Sequence, residues 1–328
     1  MERKQLGRTG RTISAIGLGC ALFGRDIDEE TSYRVMDHAV ELGIDFFDTA
    51  ESYGGGQSRQ TRKDLFGIDD KREVTSEVSS SERIVGQWMR SRGCRDKITL
   101  CTKVGSGGSP ENIARALGGS LDRLGTDHMD IYKMHTPDAG VPIAETLAAM
   151  TEEVRAGRVN VIGCSNYSAV QIKEALDASS TRGYSRFEIA QPQYNLIFPE
   201  AEGVILPLCA EEGLAVTPYS PTAAGFLAGE YTPDRANVPA GSRFDIIPVY
   251  VDRYFTDRNF GILNRLQSKA DELGVPTARL ALAWVMTNPH VTAPIVGARE
   301  TGHLDNAVAA LNMGLDGELR AEVSAWSR

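Results

Sequence analysis

Nowhere does this chain hold 18 consecutive apolar residues, and its opening, Met1-Glu2-Arg3-Lys4-Gln5, has no apolar signal region. A spanning helix needs about 20 such residues, so the sequence predicts a soluble, cytoplasmic protein with no membrane partner. Cysteine is scarce. Cys20, Cys94, Cys101, Cys164 and Cys209 are odd in number and scattered, with no C-x-x-C spacing. A disulfide scaffold is excluded, and reduced, mostly buried thiols are expected. Positive charge is in deficit, 35 Lys and Arg against 44 Asp and Glu. That argues against a nucleic-acid or anionic-membrane binder while leaving room for a local phosphate pocket. The few histidines include no pair at metal-ligand spacing: His38 falls on a predicted helix, His128 in a turn and His290 in an Asn-Pro-His loop. No metal is expected. Gly17 and Gly19, continuing to Gly24, do not form G-x-G-x-x-G, so a Rossmann site has little support.

What is present is alternation. A hydrophobic share of 41% and a charged share of 24% suit a soluble globular chain. Eight short apolar segments read as strands: Ile16 to Gly19, Ile44 to Asp48, Ile98 to Lys103, Met129 to His135, Val159 to Cys164, Phe187 to Gln191, Leu214 to Pro218 and Thr292 to Val296. Segments of helical period lie between them, such as Thr31 to Leu42 and Glu111 to Leu124, and two follow Gly261 before the last strand. Continuous rather than alternating apolar strands imply burial on both faces, hence a parallel sheet. Eight such units close most readily into an α/β, (β/α)8 barrel of the TIM type, and 328 residues fit one domain of that kind. Gln5 to Ile13 reads as a hairpin across the bottom mouth. Two segments exceed a minimal barrel, the polar stretch 54–80 and the aromatic-rich stretch 222–257. Both follow strands and are expected over the C-terminal face, the second with Phe244, Tyr250, Tyr254 and Phe255 covering a substrate.

Four polar residues far apart in sequence fall at or just beyond predicted strand ends: Asp48, Tyr53, Lys103 and His135. A barrel gathers those ends around one mouth, where its active site sits. A lysine beside a tyrosine favours the phenolate, which makes the phenol a coherent proton donor. Asp48 can hold the lysine, and His135 can hydrogen-bond a carbonyl oxygen. Such a site polarises a carbonyl but holds no reductant, so a hydride must come from a cofactor. Further strand ends suit one. Ser165, Asn166 and Gln191 can bracket a carboxamide, and the Tyr219 ring can stack on a flat nicotinamide. Ser220-Pro221-Thr222-Ala223-Ala224-Gly225 offers backbone N–H groups to a pyrophosphate, and Gly297-Ala298-Arg299 precedes a helix at a phosphate position. Cys20 follows the first strand within reach of a cofactor, with a small buried hydrophobe the better-favoured reading.

At these residues the sequence resembles the aldo-keto reductase family. The matching words are Asp48-Thr49-Ala50-Glu51-Ser52-Tyr53-Gly54, Thr102-Lys103, His135, Gly163-Cys164-Ser165-Asn166, Gln191-Pro192-Gln193-Tyr194-Asn195-Leu196 and Tyr219-Ser220-Pro221. The resemblance runs over almost the whole chain. It implies a NAD(P)H-dependent carbonyl reductase with Tyr53 as general acid, Lys103 and Asp48 tuning it, and His135 orienting substrate. It also implies Ser165, Asn166 and Gln191 on the carboxamide and Tyr219 on the nicotinamide. None of the tyrosines is followed four residues later by lysine, which counts against the short-chain dehydrogenase arrangement.

Departures from the family pattern are informative. Its usual short run from Tyr-Gly to Ser-Glu is stretched here, Ser81-Glu82 lying far beyond Tyr53, so most of 54–80 looks inserted. Thr222 stands where leucine is common. Arg299 fits a contact to a 2′-phosphate, while His303 stands where Arg or Gln is usual and Ala307 where Asn is usual, with Asn306 displaced by one. NADP(H) is therefore favoured over NAD(H). A small aldehyde or ketone, sugar-like or cyclic, is the expected substrate. The alternative is an auxiliary NADP(H)-binding redox sensor with little turnover.

Overall fold

The chain opens with an antiparallel hairpin, β1 (Arg3–Gln5) and β2 (Thr12–Ser14), then enters the first parallel strand, β3 (Gly17–Gly19). The structure, a computed structural model, describes residues 1–56, 60, 63–64, 74–75, 77–229 and 231–327. The succeeding strands are β4 (Phe46–Asp48), β5 (Thr99–Val104), β6 (Met129–Met134), β7 (Val159–Ser165), β8 (Phe187–Gln191), β9 (Ala215–Val216) and β10 (Ile295–Gly297). Eight strands, β3 to β10, pair in parallel in the order β10-β3-β4-β5-β6-β7-β8-β9. The two ends of that row also meet. Thr292 N donates to Val216 O at 2.8 Å and Ile295 N to Pro218 O at 2.8 Å, which closes the sheet into a barrel.

Side-chain parity then decides what fills it, because successive strand residues point to opposite faces. Phe46, Cys101, Ile131, Val161, Ile189 and Ile295 form one apolar cluster with Leu6 and Ile13 of the hairpin. The hairpin thus plugs the N-terminal mouth, as expected. Its seat is polar too, since Ser14 Oγ accepts from Asp45 N and Phe46 N. The alternate residues face the helices, as where Phe47 stacks on Trp88 with ring centroids 5.3 Å apart.

Helix starts follow capping chemistry. Ser168 and Gln171 form a capping box, and Ser109 caps a helix whose first residue is Pro110. The helix expected from Gly261 begins earlier, at Asp257, because the Thr256 hydroxyl accepts from Asn259 N and adds a first turn. Segment 222–257 also differs from a plain loop. It contains two short helices, Arg243–Ile246 and Val249–Tyr254, and of its four expected covering aromatics Tyr250 alone is half-buried, within the field of Tyr219 on the rim. Phe244, Tyr254 and Phe255 are buried and pack with Phe226 and Phe260, so they form the segment's own core.

Much of the 54–80 stretch lies outside the described residues. Its ends are anchored at the upper mouth: Val74 N and Thr75 N donate to Arg25 O and Gly24 O, both at 3.1 Å. Gly55 is required there, because a Cβ would sit 1.8 Å from Thr75 O. Among the described residues no helix is long and apolar enough to cross a membrane.

Candidate active site

The same parity that makes the lower barrel apolar makes its upper layer polar. Two residues beyond Phe46, Cys101, Ile131 and Ile189, on the same inward face, come Asp48, Lys103, Lys133 and Gln191, all buried. Asp48 is their hub. Its Oδ1 accepts from Lys103 Nζ at 2.5 Å, and its Oδ2 accepts from Lys133 Nζ at 2.9 Å and Gln191 Nε2 at 3.1 Å. Burial alone would push the carboxyl pKa up, but the two ammoniums hold it well below the usual carboxylate range. Lys103 also donates to Thr49 O at 2.8 Å and to Tyr53 OH at 3.3 Å, and its own pKa is raised chiefly by Asp48 against the opposing effect of burial.

Tyr53 reaches this lysine because Tyr53 N bonds Ala50 O, folding the loop after β4 back over the mouth. Its ring meets His135 edge-on at 5.4 Å. His135, one residue past β6, is held by its backbone: its N donates to Val104 O and its O accepts from Asn166 Nδ2, both at 2.9 Å. Burial first, then Lys103 and Lys133, lower the imidazole pKa to about 3 against the pull of Asp48. The ring is neutral at any ordinary working pH. Asp48, Lys103, Tyr53 and His135 are therefore brought together, as the sequence predicts.

The second group of candidates lines the adjoining rim. Ser165 Oγ donates to Gln191 O at 2.9 Å, and Tyr219 OH donates to Asn166 Oδ1 at 2.8 Å. Gly163 permits this arrangement: a Cβ there would lie 2.4 Å from Ile189 O, and the β7–β8 register shifts at that point. Among the described residues, five non-glycines have left-handed backbone, and four of them, Asn166, Ser220, Ala223 and Ala224, lie on this rim. Such strain concentrates at ligand sites. Thr222 O accepts from Gly225 N at 3.0 Å, which curls the small-residue loop. Cys20 is wholly buried, its N bonded to Asp48 O at 2.9 Å.

Farther along, Gly297 ends β10 and Arg299 follows, its backbone N donating to His303 Nδ1 at 3.2 Å. Asn306 instead accepts from Arg279 at 3.0 Å. Arg25 pairs with Asp26 at 3.0 Å. Desolvation would raise the Asp26 carboxyl, yet Arg25, Arg243 and Arg299 hold it below its usual value. Arg243 is itself pulled down to about 10 by desolvation and by Arg25 and Arg299. Arg25, Arg243 and Arg299 all act on the Asp26 carboxylate, and such a group of guanidiniums suits a phosphate-bearing ligand.

Sequence reasoning passed over Lys133 and Arg243. For Lys133 the signal was there, since it precedes His135 by two residues and so shares its face of the strand. For Arg243 there was none, because it sits in a segment without strand or helix pattern.

Comparison with known proteins follows this geometry. Residues 15–327 match the family model described as Aldo/keto reductase family. The chain is 34% identical to an uncharacterized oxidoreductase, YrpG, of Bacillus subtilis (strain 168), over 97% of this chain and 94% of that protein. It is 32% identical to a probable voltage-gated potassium channel subunit beta of Oryza sativa subsp. japonica (95% and 92% covered). It is 31% identical to an NADH-specific methylglyoxal reductase of Escherichia coli (strain K12) (96% and 95% covered).

Proposed function

This chain belongs to the aldo/keto reductase family, and from that premise we propose that it is a cytoplasmic NADP(H)-dependent reductase of small aldehydes or ketones with Tyr53 as its acid. The observation that carries the reading is the contact of Lys103 Nζ with both Asp48 Oδ1 and Tyr53 OH at the barrel mouth. When bound, the reduced nicotinamide supplies the hydride that ends on the carbonyl carbon. As that carbon is attacked, the C=O π pair moves to oxygen, and the Tyr53 hydroxyl gives that oxygen its proton. Lys103 stabilises the phenolate left behind, and Asp48 keeps Lys103 charged and aimed. Neutral His135 donates an N–H to the same oxygen and fixes its position.

Several rim residues support a nicotinamide cofactor here. Ser165, Asn166 and Gln191 would hold the carboxamide; Gln191 spends its Nε2 on Asp48 and keeps its oxygen for a ligand N–H. Tyr219 would lie against the ring, while Cys20, wholly buried, packs as a small hydrophobe behind the site. Backbone groups of Ser220, Thr222 and Gly225 would face the pyrophosphate. Gly297, Arg299, His303 and Asn306 would bound the adenosine end, and the Arg25–Arg243–Arg299 cluster supports a 2′-phosphate, hence NADP(H) over NAD(H). The Escherichia coli relative is named NADH-specific, so this preference rests on this chain's own guanidiniums.

Tyr53→Phe is expected to lower turnover by at least about 10²-fold while leaving cofactor affinity intact. Near-normal turnover would remove Tyr53 from its role. The channel-subunit relative motivates a second reading, an auxiliary redox-sensing subunit. That reading requires slowly exchanging cofactor, negligible turnover across a carbonyl panel with NADPH and NADH, and a partner recovered on pull-down.

A further inference from the structure

Lys133 is buried inside the barrel with no exposed surface. Below it on that inner face the barrel is hydrophobic: Ile131 lies two residues before it on the same strand, and its ammonium sits 5.7 Å from the Phe46 ring centroid, while its own layer holds Asp48, Lys103 and Gln191. An apolar side chain would fill this layer at far lower desolvation cost. Neutralising Asp48 does not explain the lysine either, because Lys103 already contacts Asp48 Oδ1 at 2.5 Å. Lys133 takes the other oxygen at 2.9 Å. Two ammoniums thus face one carboxylate.

We propose that Lys133 is a positioning residue of this site: it anchors Asp48 Oδ2 so that Oδ1 stays on Lys103, and its surplus charge makes the pocket floor net positive beneath the carbonyl oxygen. The inference rests on the reductase reading above and adds to it a residue two positions before His135. Its first consequence is geometric. With one oxygen tied to Lys133, the Asp48 carboxylate cannot rotate away from Lys103, and Lys103 keeps its contact with Tyr53. Its second is electrostatic. Among the described residues, the charged and titratable groups around the His135 ring are Asp48 from β4, Glu51 and Tyr53 from the loop above it, Lys103 from β5 and Lys133 from its own strand; Glu51 is occupied by Gly105 N and Ser106 N. Burial is the largest influence against an imidazolium; Lys103 and Asp48 oppose each other, and Lys133 adds to the effect of burial. A neutral ring can donate a hydrogen bond without competing with Tyr53 as the acid, and a positive floor favours the negative charge that builds on the carbonyl oxygen.

The test uses the full chain with Lys133→Met, which matches the lysine stem in shape, and Lys133→Gln, which keeps a donor for Asp48 without charge. In cofactor-free protein with isotope-labelled histidine, nuclear magnetic resonance follows the His135 ring from about pH 4 to 8. Wild-type His135 is expected to stay neutral throughout, and Lys133→Met to move its titration upward. With cofactor, kcat is expected to fall about 10²-fold in the Met variant, with cofactor affinity held. The Gln variant recovers part of kcat but not the wild-type titration, and it carries both readings should the Met variant fail to fold. A folded Met variant with wild-type kcat and titration overturns the proposal, as does a wild-type His135 that titrates near its ordinary value. Wild-type turnover on a carbonyl panel with NADPH and NADH separates the two ideas: its absence sinks the reductase reading, whereas the His135 titration still decides what Lys133 does.

Discussion

Ser52 Oγ lies 3.2 Å from His135 Nδ1, so the loop that presents Tyr53 also holds the neighbouring imidazole. A neutral imidazole has a single N–H, and the partner of one nitrogen decides where it sits. If the Ser52 hydroxyl donates to Nδ1, Nε2 carries the proton and can donate to a substrate oxygen. Ser52→Ala removes that bias and is expected to lower kcat by about 10-fold, with cofactor affinity intact. Ser52→Thr, which keeps the hydroxyl, is expected to restore most of it. Steady-state kinetics on the three proteins would show this, and equal kcat in all of them would deny Ser52 any part in setting the tautomer.

His135 and His38 should make stability depend on pH in opposite directions. The His135 pKa is depressed to about 3 by burial and the two lysines, against about 6.5 in an unfolded chain. Between those values the unfolded state binds more protons, so the contribution of His135 is full above about pH 6.5 and is lost as pH falls. His38 is raised by its bond to Asp305, 2.7 Å away across two helices, with Glu41 assisting. Its contribution is therefore full below about pH 6.5 and fades as pH rises through the folded value. Denaturant midpoints measured from pH 4 to 9 check both. His135→Asn should flatten the acid side, and His38→Gln should cost less than about 1 kcal/mol, visible near pH 6 and absent near pH 9. The reverse pattern in either variant would contradict the assigned shift.

Arg243 and Arg299 act, with Arg25, on the Asp26 carboxylate, three cations to that anion. If that surplus serves a 2′-phosphate, Arg243→Ala should weaken NADPH binding by about 10-fold or more while changing NADH little, because charge-assisted hydrogen bonds are worth about 1.5–3 kcal/mol. Quenching of protein fluorescence by each dinucleotide gives the two affinities. Equal losses for both would place the arginine on the shared pyrophosphate instead.

Much of this was legible before any coordinates. The strand ends at Asp48, Lys103 and His135 could be placed because buried parallel strands read as short apolar runs, and a polar residue terminating such a run stands out. The helix from Asp257 was started late because its first turn depends on a hydroxyl cap at Thr256, a single bond that a periodicity pattern does not register. The aromatics of segment 222–257 were assigned to the substrate because composition carries no direction; only packing shows Phe244 and Phe255 facing Phe226.

Local pattern fixed the alternation of strands and helices, the polar strand ends and the family, since each depends on residues near one another in the chain. Tertiary structure decided that Lys133 and Lys103 share one carboxylate and that three arginines surround another. Those contacts join strands and loops tens of residues apart, and their energies depend on a distance and on the exclusion of water, neither of which a linear order of residues contains.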